Sequence, residues 1–72
     1  MIEKERATEI REFALEAIRD LSQILLLSQG NFSDNDYEEI KRAVGLSIGR
    51  IQTGILDIIY TIYPELDHLR GK

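Results

Sequence analysis

From Ala7 onward, apolar residues recur at Ile10, Ala14, Ala17, Ile18, Leu21, Ile24 and Leu25, the alternating three-and-four spacing of a helix with one buried face. Phe13 widens that face. Glu5, Glu9, Glu12, Glu16 and Asp20 run down one flank of the same helix, and Lys4, Arg11 and Arg19 down another. A second pattern begins at Tyr37 and continues through Ile40, Val44, Ile48, Ile51, Ile55, Ile58 and Ile62, again at helical spacing. Between the two lies "SQGNFS". Gly30 suits a left-handed helix end, and Ser33 suits an N-cap that accepts a bond from the backbone near Asp36. Phe32 and Tyr37 fit a hydrophobic staple, and Ser33 with Asp36 resembles a capping box.

The pattern predicts an all-α chain of one domain, residues 1–72, folded as an antiparallel two-helix hairpin. Helix 1 is expected over about 4–28, the loop over 29–33, helix 2 over about 34–62 and a short helical tail over 64–72. Pro64 marks the break before that tail, with Leu66 and Leu69 folding over the open end.

The hairpin leaves apolar surface unaccounted for. A strip of Gly45, Gly49, Leu56, Ile59 and Tyr63 lies well round helix 2 from the main stripe, and Leu15, Leu26 and Leu27 lie off the stripe of helix 1. A glycine inside a helix costs about 1 kcal/mol relative to alanine, so Gly45 and Gly49 are expected to form a ledge for close helix packing. These eight residues are the expected seam of a homodimer, or a higher even oligomer, in which two hairpins close into a four-helix bundle.

Composition points the same way. Seventy-two residues without a cysteine bury little on their own and have no disulfide to compensate. Nine basic residues against thirteen acidic give a net charge of −4, which disfavours nucleic acid and anionic membranes as partners. The run Ala43 to Tyr63 approaches the length of a membrane span, but Arg50 and Asp57 lie inside it, each costing about 2.5–3.5 kcal/mol at a bilayer centre. With a charged start, "MIEKERATEIREF", that does not read as a secretory signal, the expected location is cytoplasmic.

Candidate chemistry is sparse. Glu9 and Glu12 supply one ExxE, the first half of the magnesium-holding pair of all-α nucleotide pyrophosphohydrolases, and no ExxD follows at suitable spacing. Glu65 and His68 have the ExxH spacing that ferritin-like di-iron proteins use, without inward carboxylates on the long helices to complete a first shell. No phosphate-binding glycine loop or cysteine nucleophile is present, and no cofactor is expected. The sequence therefore reads as a small non-enzymatic interaction or regulatory protein with an unknown protein partner. Glu5, Glu9, Glu12, Glu16 and Asp20 would be its outward surface. The alternatives are a ligand or metal carrier, using the bundle interior or Glu65 with His68, and an acidic inhibitor that mimics nucleic acid.

Overall fold

The computed structural model describes residues 2–67, and every regular element among them is helical. Helix α1 spans Lys4–Ser28, and α2 begins after the loop at Asp34 and runs to Arg50. One wide π-helical turn, Ile51–Leu56, joins α2 to α3, Asp57–Ile62, and a single 3-10 turn, Pro64–Leu66, follows Tyr63. The two long arms lie antiparallel and pack against each other, as a short loop requires. No helix of the described residues is long and apolar enough to cross a membrane.

Local chemistry sets the loop. Gly30 takes a φ of +80°, the left-handed conformation that side-chain-bearing residues avoid. Asn31 closes the end of α1 by donating from its side-chain amide to the Leu27 carbonyl at 2.6 Å. Ser33 is extended, and its hydroxyl oxygen accepts from the Asp36 backbone N–H at 3.2 Å, so the expected N-cap of α2 is present.

The expected single helix over 34–62 is helical throughout but not uniform. At the π-turn the buried series reads Tyr37, Ile40, Val44, Ile48, Ile51, then Leu56, Ile59 and Tyr63, with a step of five residues where three or four had been the rule. A π-turn holds one more residue than an α-turn, so every later side chain is rotated by about 100° relative to a regular helix. The consequence overturns part of the stripe. Leu56 and Ile59 are each only 4% exposed, whereas Ile55 and Ile58, expected to face α1, are 46% and 61% exposed. Ile62 turns outward with them.

Packing accounts for this turn better than side-chain bonding does. Thr53 donates its hydroxyl to the Gly49 carbonyl at 2.8 Å, but Thr8, Ser22 and Thr61 make the same bond four residues back in regular α-helix. Gly54 lies inside the turn, where a Cβ would meet nothing within 4 Å. The gain is at the open end. Ile59 and Leu66 close over the fully buried Ala7, with Ile2, Tyr60 and Tyr63 packed around them. The Tyr63 hydroxyl donates to the Ile2 carbonyl at 2.9 Å, tying the two ends of the chain together. Leu66 thus folds over the open end as expected; Leu69 lies outside the described residues.

The resulting core is thin. Six apolar residues among those described are buried, none of them completely enclosed except small Ala7, while ten large apolar side chains stand exposed. The molecule is a slab of 46 × 23 × 16 Å.

Candidate interaction surface

The slab has two flanks of different character. On one, Ile10, Phe13, Ala14 and Ala17 of α1 face Ile51 and Ile55 across a furrow of about 250 Å³. All its walls are apolar. Helical spacing extends this surface through Ile58 and Ile62, because residues three and seven beyond Ile55 share its face. Phe13 stands at the lip, 76% exposed. Toward the loop, Phe32, Ile40 and Ala43 continue the apolar surface around a shallower depression, edged by Asp36 and Glu39.

The other flank is mixed. A groove of about 500 Å³ lies between Leu15 and Ile18 of α1 and Leu56 beyond the π-turn, and its remaining walls are Gln52, Thr53, Asp57, Tyr60 and Asp67. Leu26 is exposed, while Leu15 is half-buried.

The residues expected at a seam therefore separate. Leu56 and Ile59 are covered by the chain's own α1 side, and half-buried Tyr63 is bonded to Ile2, so these three belong to the interior of the hairpin. The π-turn is the physical reason: it moved them inward and moved Ile55, Ile58 and Ile62 out. Leu27, 71% exposed, joins the outward set from α1.

Gly45 and Gly49 do not serve close packing within the chain. A Cβ built on either meets nothing within 4 Å, and neither has a left-handed backbone. Alanines on α1, Ala7 and Ala14, supply the small surface at the helix contact instead. Replacing Gly45 or Gly49 by alanine should accordingly stabilise the protein by about 0.5–1 kcal/mol each, the ordinary helix-interior difference. Chemical denaturation of the two variants measures this, and a loss of stability would mean that another backbone rests on the glycines.

Glu5, Glu9, Glu12, Glu16 and Asp20 are all exposed on the far side of α1 from its buried face. They are not a bare acidic stripe, however. Arg6 pairs with Glu9 at 2.8 Å, Arg11 with Glu12 at 2.6 Å and Arg19 with Glu16 at 2.9 Å, so arginines reach into the acidic side instead of keeping to a separate flank. Each such surface pair contributes at most about 1 kcal/mol. Arg11 is the inward one, with its side chain only 15% exposed.

Glu65, the one described member of the ExxH pair, is engaged elsewhere. Its carboxylate lies 3.1 Å from Lys4 Nζ, joining the start of α1 to the 3-10 turn. A backbone hydrogen bond and then the Lys4 side chain hold its carboxyl below the ordinary value of 4.5. His68 lies outside the described residues, and among those described no three His, Cys, Asp or Glu side chains gather in a metal-binding group.

The sign of the Glu65 shift fixes a pH effect. A carboxyl depressed in the folded state favours folding above its unfolded value, and that contribution is lost as pH falls through the folded one. Glu65→Gln should lower stability slightly at neutral pH and remove this part of the acid dependence, so that the two proteins converge as pH falls below 4.5. Parallel acid titrations of the two proteins by circular dichroism check it, and identical acid limbs would count against a depressed Glu65 carboxyl.

No family model matches the chain, and neither a curated protein nor a solved structure matches it.

Proposed function

We propose that this chain is a small, non-enzymatic interaction or regulatory protein whose working unit is a homodimer, two hairpins closing into a four-helix bundle. The observation that carries the reading is the surface left over. A compact chain of 8.3 kDa exposes about 4,600 Å² by the usual size scaling, and this one exposes 5,614 Å². The surplus, about 1,000 Å², is close to the roughly 800 Å² that each partner contributes to a standard interface. Shape agrees, since the radius of gyration of 14.8 Å exceeds the ~11 Å expected of a globule of this length. Two slabs stacked face to face approach a globular outline.

Binding as the activity, and not turnover, is supported by the state of the carboxylates. Those of α1 are solvated and three of them are paired with arginine, while Glu65 is held by Lys4. In the bundle the α1 carboxylates remain on the outside, where a further protein would meet them, and a cytoplasmic setting fits a chain without cysteine. Sedimentation equilibrium tests the assembly. The expected mass is that of two chains, with a melting temperature that rises with protein concentration. A stable, folded species of one chain at micromolar concentration would sink the reading.

A second reading, a carrier of a small apolar ligand, draws on the groove of about 500 Å³ beside the π-turn. That volume falls within the range of small-molecule sites. Isothermal titration with amphipathic ligands distinguishes it, because saturable one-to-one binding is expected of a carrier alone.

A further inference from the structure

We infer that the second copy seats on the flank formed by Ile10, Phe13 and Ala17 of α1 with Ile55, Ile58 and Ile62 beyond the π-turn, and that the Gly45/Gly49 side stays outside the bundle. This rests on the homodimer proposed above and names its seam. Four observations converge on that flank. It carries the most exposed large apolar side chain of the described residues, Phe13 at 76%, together with Ile58 at 61%. The furrow beside Phe13, about 250 Å³ with apolar walls only, is a hole on the same face as the knob. A two-fold partner presents the same face, so each Phe13 meets the furrow of the other copy and one surface is its own complement.

Area and charge complete the argument. A face measuring 46 × 23 Å has a footprint of about 1,000 Å², enough for a standard interface of roughly 800 Å² per partner. The opposite flank offers similar length but places the exposed polar side chains Gln52, Thr53 and Asp57 along its groove, which a second acidic chain would have to desolvate. On the apolar flank the furrow has no charged wall; Glu9, Glu16 and Asp20, at four before and three and seven after Phe13, stand at its α1 rim, and Asp36 and Glu39 edge the surface toward the loop. These carboxylates lie at the edge of the contact and not in its apolar centre, the polar-rim arrangement of ordinary interfaces. Gly45 and Gly49 themselves contribute no apolar side chain to bury, so their side draws on Leu15 and Leu26 of α1.

Thiol footprinting separates the alternatives cleanly, because the chain has no cysteine of its own. Ile55→Cys and Gly49→Cys, each confirmed as helical by circular dichroism, are labelled with a maleimide across a dilution series that spans the dissociation constant. Protection of Cys at 55 that is lost on dilution, with position 49 reactive throughout, is the expected result. In parallel, Phe13→Glu should weaken association about thirty-fold or more, as loss of a central interface anchor does. Protection at position 49, whether alone or together with position 55, overturns the assignment of the seam and leaves the homodimer standing. A folded species of one chain at every concentration, with both positions reactive, overturns the homodimer itself, and co-sedimentation of that species with phospholipid vesicles or a cell extract would then assign the face to a different occupant.

Discussion

Deletion of Gly54 should leave the hairpin folded and raise its melting temperature. The π-turn Ile51–Leu56 is equivalent to one residue inserted into an α-helix, and the residues packed on α1 after it, Leu56, Ile59 and Tyr63, are in phase with Val44, Ile48 and Ile51 only if that extra residue is discounted. Removing Gly54 restores steps of three and four along the whole buried series and takes out a residue that costs a helix about 1 kcal/mol. For a chain of this size each kcal/mol corresponds to about 4–8 °C in melting temperature. A regular α-helix through the same region would respond in the opposite sense. The deletion would then rotate everything beyond it by about 100°, pull Tyr63 away from Ile2, and cost several side-chain burials. Thermal unfolding followed by circular dichroism decides, and loss of a cooperative transition in the deletion variant would refute the π-turn.

Leu56→Ala should remove most of the stability the protein has. Leu56 is 4% exposed and is one of only six buried apolar residues among those described, so truncating it leaves a cavity in a core with no second layer to relax into it. Truncations of this type cost about 2–5 kcal/mol, against a total of about 5 kcal/mol at the low end of the range for small domains. Leu46→Ala makes the same chemical change on a side chain that is 66% exposed, and exposed substitutions usually fall within about 0.5 kcal/mol of neutral. Urea unfolding of the pair measures the contrast. Equal losses would place Leu56 outside the core.

The hairpin was legible in the chain because its signals are local. The spacing of Ala7, Ala14, Ile18, Leu21 and Leu25 marks one face of α1, Gly30 stops it, Ser33 starts α2, and the five-residue loop 29–33 between the two helices forces the arms back on each other. The exposure of Glu5, Glu9, Glu12, Glu16 and Asp20 followed from the same wheel. The arginine pairing is equally local, Arg6 with Glu9 and Glu16 with Arg19 being three residues apart and so neighbours on the helix surface, but it does not follow from assigning the arginines to a separate flank.

Which apolar strip of helix 2 faces inward was a different kind of question. Ile55, Ile58 and Ile62 form one strip and Leu56, Ile59 and Tyr63 another, one residue apart and equally apolar, so periodicity alone favours whichever continues the pattern begun at Tyr37. A change from α to π shifts the choice by that one residue and leaves no mark in composition beyond Gly54. The sequence by itself determined the two amphipathic arms, their caps and their antiparallel return, because each depends on hydrogen bonds and side-chain spacing within a few residues. Only the tertiary structure decided the inner strip, because that depends on contacts between ends of the chain far apart in sequence, Ile59 and Leu66 against Ala7 and the Tyr63 hydroxyl on the Ile2 carbonyl.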